Sequence, residues 1–545
     1  VISIVGVSYA AFSYTREGAG VNKITTGDLS MEYAETDNII SISNALPTTD
    51  RTGMVRLNDG EYFDFTITSS ISNNTNINYE ISAKEEGSGT IDGSNIKLYL
   101  TEIVDGEEVS LMSPKVYSEE TSSNDYTGRP SNEMSLYQSS MNSSEEHTFR
   151  LRMYVTEEYN PQGDGGGLTF AVRVNVYGKA GDKYVPLTTQ KILEDNELQE
   201  EKTNMFNYTA NGRQYDYDTD DLGDVNSEYV TVGLYSMEDE DGESYYFRGS
   251  NVNNYVRFGE YTDDYYVYRY NDRDFVTLES CQYYNSSCSE ANRVLKYSAG
   301  TPMYWRIVRV NGDGSLRLIY NGTSTSATGQ DLMIGNGAYN FNYNDPKYTG
   351  YTYDRDSNET DSNAKKDIET WYSDVLSGTV YDNMIIGGRF CSDSSGYKLA
   401  SEYGIQGWSD NTYLYASSDR LDQAAGTTAY AKANSPTLIC PDTDETYGGS
   451  YRLKVGLITA DEIVLSGMTA WGYDMESSYL ASDWYYWSMT PAGFYSDGAG
   501  VWDAGGSLDN DSVGRNVGLR PAINVLTNNG FTSGDGTASN PYRLS

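Results

Sequence analysis

The feature that most constrains this chain is strict alternation of apolar and polar residues. TFRLRMYV sets Phe149, Leu151, Met153 and Val155 against Arg150, Arg152 and Tyr154, TFAVRVNVY repeats it with Phe170, Val172, Val174 and Val176, and FDFTITSSI puts Phe63, Phe65 and Ile67 on one face. Period two over this many residues means half-buried antiparallel strands. SSNDYTGRPSN and EEYNPQGDGGG separate the strands and read as long surface loops, so residues 16–200 are expected to form a two-sheet sandwich or jelly roll. At 545 residues the chain exceeds one ordinary core, and several domains follow.

Composition narrows the function classes. The 79 acidic residues against 38 Lys+Arg give a net charge of −41, which repels phosphate backbones and anionic lipid headgroups, so neither nucleic acid nor a membrane surface is an expected partner. Such a carboxylate excess suits hard cations, so calcium is admissible although no cofactor is required. The chain holds 51 Tyr and 53 Gly but 12 Pro, a mixture that favours twisted strands joined by polar turns. Its one histidine, His147, stands just ahead of an alternating strand and reads as a surface residue, which leaves a Ser-His-Asp or Cys-His constellation and zinc hydrolysis without their central group. No catalytic residue is singled out, and the chain is not expected to be an enzyme.

Four cysteines occur, with no CxxC. Cys281 and Cys288 lie in CQYYNSSC and can close a small loop, while Cys391 and Cys440 sit apart in FCSDSS and LICPDTD. Two disulfides between sequence neighbours, in an oxidising compartment, account for them best.

VISIVGVSYAAFSY opens the sequence without a charge. As a helix it would cover roughly 20 Å of a hydrocarbon core about 30 Å thick, too little to span. Ser8-Tyr9-Ala10 also has the small residues of a signal-cleavage region. As an extended strand, residues 1–15 could complete an open sheet, with Val1, Ile2, Ile4, Val5, Val7, Tyr9 and Phe12 as its plug. Three placements are open to it: exchange into a neighbouring copy, insertion into its own domain, or the leftover core of a signal. Exchange is the reading adopted as the expectation.

GVSYAAFSYT, ITTGDLSMEY and SISNALPTTDRTG resemble the opening of camelysin/TasA-type proteins, secreted biofilm-fibre subunits of Gram-positive bacteria. The resemblance covers roughly residues 1–200. It implies a jelly roll and polymerisation, one subunit's N-terminal strand completing the next subunit's sheet; this sequence differs in keeping residues ahead of the usual cleavage point.

Residues 201–228 read as an acidic linker after a short helical stretch near 190. Asp216, Asp218 and Asp220 alternate as calcium ligands would, but position twelve counted from Asp218 is Tyr229 where an EF-hand needs glutamate. A solvated linker is the competing account.

Residues 229–545 form the last segment. YWRIVRVNGDGSLRLIYNG is a hairpin turning at Asn311-Gly312-Asp313-Gly314, and DIETWYSDVL carries Ile368, Trp371, Tyr372 and Leu376 at helical spacing. KVGLITADEIVLSG, SDWYYWSMTPAGF, GVWDAGGSL and VGLRPAINV resemble formylglycine-generating-enzyme-like domains of the C-type-lectin-like fold, found in secreted Firmicute proteins. The resemblance implies an α+β display domain. That group's enzymes oxidise cysteine with a close pair near the chain end; here the last cysteine is Cys440, so the catalytic equipment does not carry over. Phe494, Tyr495, Trp502 and Asp503, with Asp509 and Asp511 beyond, fall where such folds vary their surface loops. Exposed, they would suit a carbohydrate or protein ligand; Phe494 and Trp502 are equally suited to core packing.

The sequence thus points to a mostly β extracellular or cell-surface protein of a Gram-positive-type bacterium: a sandwich that assembles copies into a filament, followed by a C-type-lectin-like module. The competing reading is a monomeric secreted or surface-anchored adhesin.

Overall fold

The computed structural model describes residues 47–57, 62–71, 76–85, 91–104, 106–159, 169–181, 183–200, 232–353, 360–403, 411–421, 436–441, 447–468, 470, 477–496, 498–525 and 530–544, and the backbone alone of Asn22–Thr26, Leu29–Glu35, Ser41–Ser43, Tyr215–Asp216, Asp221–Leu222 and Glu107. The chain is mostly β and divides into two compact units, Val1–Pro186 and Leu187–Ser545. The first boundary therefore falls at 186, short of the expected 200. The helix Leu187–Asp195 packs Ile192 into the second unit's core, and Asp195 accepts a hydrogen bond from Tyr542 at 2.8 Å.

The first unit holds a seven-stranded and a four-stranded antiparallel sheet over one apolar core. Strand Tyr62–Ile71 lies between Leu29–Glu35 and Glu146–Val155, with Ile96–Val104 next in order. The four-stranded sheet runs Ser41–Ser43, Thr169–Gly181, Asn76–Glu85, Met134–Met141. The residues expected to face inward do so: Phe63, Phe65, Ile67, Phe149, Leu151, Met153, Val155, Phe170, Val174 and Val176 are buried in one cluster, and Val172 packs against it. Register brings Phe65 opposite Phe149, their rings 5.3 Å apart.

The outer faces depart from the half-buried expectation. Arg152 and Tyr154 are buried because the segment 47–57 lies over them: Arg152 donates to the Arg56 carbonyl at 2.7 Å, and Tyr154 donates to Asp50 at 2.8 Å. Gly53 makes this approach feasible, since a Cβ there would come within 2.5 Å of the Tyr154 ring. Across the unit, SSNDYTGRPSN is a cover and not a free surface loop. Arg129 reaches Glu80 at 2.6 Å and Glu120 at 2.6 Å, and Thr127 donates to Glu80. Glu133 accepts from Tyr177 at 2.8 Å and Asn175 at 3.1 Å. Strand Asn76–Glu85 is consequently buried along both faces.

His147 lies within strand Glu146–Val155, half-buried between Glu102 at 2.5 Å and Glu145 at 3.3 Å. Burial alone would lower its pKa, but the hydrogen bonds to the two glutamates prevail and raise it to about 9.

The second unit builds a nine-stranded and a ten-stranded sheet on one core. The expected hairpin is present as Pro302–Val310 and Leu316–Tyr320, its turn closing at Gly314 with φ 85°. Gly242–Arg248 and Tyr255–Glu260 both pair with Pro302–Val310. The expected helix runs Asn363–Val375, with Ser362 as its N-cap and Trp371 packed against Trp305 and Tyr320. Leu198 bridges Leu234, so the chain leaves at 200 and returns at 232 on the same edge. Among the described residues no helix is long and apolar enough to cross a membrane.

Two outcomes are expected from the first unit. Arg129→Met leaves Glu80 buried beside an empty cation position and should cost about 3–5 kcal/mol, measured by urea unfolding of the full chain followed by circular dichroism. A raised histidine pKa contributes stability that is complete below the ordinary value of 6.5 and is lost as pH rises through about 9. The unfolding midpoint should therefore fall between about pH 6.5 and about 9.5, and His147→Gln should flatten that fall.

Candidate functional site

The hairpin Pro302–Val310/Leu316–Tyr320 pairs Arg309 directly with Arg317, two like charges across one rung. Such a pair is destabilising unless anions intervene. Glu462 intervenes, with Oε1 at 3.0 Å from Arg309 Nε and 3.4 Å from Arg317 Nε. Its other oxygen accepts from the Thr459 backbone N–H at 2.9 Å, completing a capping box on the helix Ala460–Leu465. Burial pushes the Glu462 carboxyl up, and Arg317 and Arg309 overcome this and leave it below its usual range. Arg309 also reaches Asp239 at 2.6 Å and has its pKa raised despite burial. Arg317, with Glu462 as its carboxylate partner, is pulled by burial down to about 10.

Two further arginines complete an open cleft here. Strand Gly388–Ser392 alternates so that Phe390 points into the core beneath Arg317, its ring 4.3 Å from that guanidinium, while Arg389 and Cys391 share the other face. Arg389 meets Asp241 at 3.2 Å. Arg420, on helix Ala416–Leu421, grips Asp461 at 2.7 and 2.9 Å and Asp393 at 2.9 Å. Residues 436–441 form the remaining wall: Thr437 N–H donates to Asp461 at 2.9 Å and Cys440 N–H to Glu240 at 2.6 Å. The cleft is small and open to solvent, and Thr437, Thr459 and Thr490 add neutral polar lining. The lining sets four guanidiniums, of Arg309, Arg317, Arg389 and Arg420, against four carboxylates, of Glu240, Asp393, Asp461 and Glu462, with Asp239 and Asp241 paired to Arg309 and Arg389 from outside the lining. The Nε atoms of Arg317 and Arg389 are buried without a hydrogen-bond acceptor.

Both expected disulfides are formed, Cys281–Cys288 and Cys391–Cys440, and the second walls this cleft. The proposed ligand-facing residues are placed differently. Phe494 and Tyr495 are half-buried at the end of strand Tyr486–Tyr495, and Trp502 and Asp503 are buried in strand Gly498–Ala504. Trp502 is core: its indole donates to Ser417 at 3.1 Å. The strand lies covered on both faces, so Trp502 and Asp503 do not face solvent as expected. Register puts Asp503 opposite Asp509 and Val501 opposite Asp511, so three carboxyls share one face. Burial, then Asp511 and Asp509, push the Asp503 carboxyl far up, and burial raises Asp509 to about 6. Val1, Ile2, Ile4, Val5, Val7, Tyr9 and Phe12 lie outside the described residues, as do Asp218 and Asp220; Asp216 is described by its backbone alone. Among the described residues no group of three or more His, Cys, Asp or Glu is placed to hold a metal ion.

The cleft was not anticipated, although arginines set into the apolar strands WRIVRV and SLRLIY, and the capping-box spacing Thr459-x-x-Glu462, were its available signals. Comparison of the chain with protein-family models, curated proteins and solved structures finds no match.

A raised carboxyl pKa means that the folded state holds the proton more tightly, so its stabilising contribution is present at low pH and is lost as pH rises through the folded value. Asp503→Asn should therefore raise the melting temperature at about pH 7.5 and leave it nearly unchanged at about pH 3.5, checked by scanning calorimetry.

Proposed function

We propose that this chain is the structural subunit of an extracellular filament of a Gram-positive-type bacterium, in which the first unit polymerises and the second is carried as an outward-facing, lectin-like module. The observation behind this reading is a sheet edge. Thr169–Gly181 pairs with Asn76–Glu85 over residues 172–181, and its one other strand partner among the described residues is Ser41–Ser43, set against residues 169–171. Ten residues of strand measure about 33 Å, and the charge-free residues 1–12 would extend to about 40 Å. A sheet edge is where a further strand can be added, which would bury alternate side chains. In this reading Val1 to Phe12 of one copy supply that strand to the next, in a jelly-roll sandwich completed by its neighbour. Two disulfides suit an oxidising exterior.

The arginine-carboxylate cleft favours a second reading, a monomeric adhesin whose recognition of a carbohydrate or protein resides in the second unit. The two readings separate on one experiment. Deleting residues 1–12 should abolish fibres in negative-stain micrographs while leaving the circular dichroism of the chain unchanged; fibres that persist after the deletion would remove the donor-strand account.

A further inference from the structure

The two disulfides occupy unlike environments. Cys281 and Cys288 are 0% and 2% exposed and belong to a small aromatic cluster with Phe275, Tyr268 and Tyr284. Cys391 and Cys440 are half-buried, and both line the open cleft. We propose that Cys391–Cys440 is a thiol-exchange site that takes a small amine-bearing thiol as a mixed disulfide on Cys440.

The direction follows from the charges on either sulfur's flank. Arg389 is two residues from Cys391 on the same face of its strand, and its buried Nε lacks an acceptor. A guanidinium so placed favours a thiolate at Cys391. Cys440 has an acid beside it instead, since its backbone N–H donates to Glu240 at 2.6 Å. Exchange goes faster when the leaving sulfur is the better-stabilised thiolate, so the attacked atom is Cys440 Sγ.

In the step, the incoming thiolate sulfur bonds to Cys440 Sγ, the Sγ–Sγ bond breaks, and its electron pair departs on Cys391 Sγ. One disulfide replaces another, so no net oxidant or reductant is consumed. Glu240 lines the cleft beside Cys440 and selects among thiols: a thiolate that carries an ammonium group enters as a neutral species with its cation toward that carboxylate, whereas an anionic thiol meets like charge there.

The test uses the full chain, undenatured, at about pH 8 with cysteamine or mercaptoethanesulfonate, followed by alkylation and peptide mass mapping. Expected is one cysteamine on Cys440, alkylated Cys391, an intact Cys281–Cys288 bridge, and cysteamine reacting at least about tenfold faster than the sulfonate. Arg389→Gln should slow cysteamine exchange by about tenfold, with Arg389→Lys restoring most of it. Glu240→Gln should narrow the preference between the two thiols. No adduct on the native chain, an adduct on Cys391, equal opening of both bridges, or equal rates for the two thiols would each overturn the proposal. Because the wild-type map alone decides where the adduct falls, a variant that misfolds does not shelter it.

Discussion

The second unit depends on one carboxylate. Glu462 is fully buried, caps its own helix with one oxygen, and with the other lies between two arginines that the hairpin register has forced opposite each other. Together with Asp239 on Arg309, it offsets the two like charges that face each other across the rung. The neighbouring Asp461 then holds Arg420 and the wall at Thr437. Three elements far apart in sequence are thus fastened through two successive acids at one helix start. A cleft with polar walls is what remains between them.

The first unit reaches the same end by a different device. Its two sheets share an aromatic and aliphatic core, yet each outer face is roofed in part by a loop held through charge. Lys97 and Tyr154 converge on Asp50 on one side, and Arg129 on Glu80 and Glu120 on the other. Those strands are thereby buried on both faces over much of their length.

Much of this was legible from residue order. Alternation named the inner faces of the first unit at Phe65, Phe149 and Val174, and helical spacing found the segment around Trp371, because apolar burial drives folding more than any other force and leaves its period in the sequence. The cover over Glu80 was not legible: TGRP reads as a polar turn, and nothing local says that Arg129 will find a carboxylate 49 positions away. Trp502 and Asp503 were misplaced for a related reason, since a glycine-rich run such as GAGVWDAGG resembles a loop although here it packs as strand beside Tyr486. The cleft lay beyond local reading altogether, being assembled from four separate stretches whose arginines look like ordinary surface charges until the register is known.

The return of the chain at Leu234, beside the place it left at Leu198, changes what the acidic stretch between them can do. A segment whose two ends are stitched to one body cannot act as a spacer, whatever its length. The two units instead follow one another in the chain at Pro186 and Leu187, between the strand Thr169–Gly181 and the helix Leu187–Asp195.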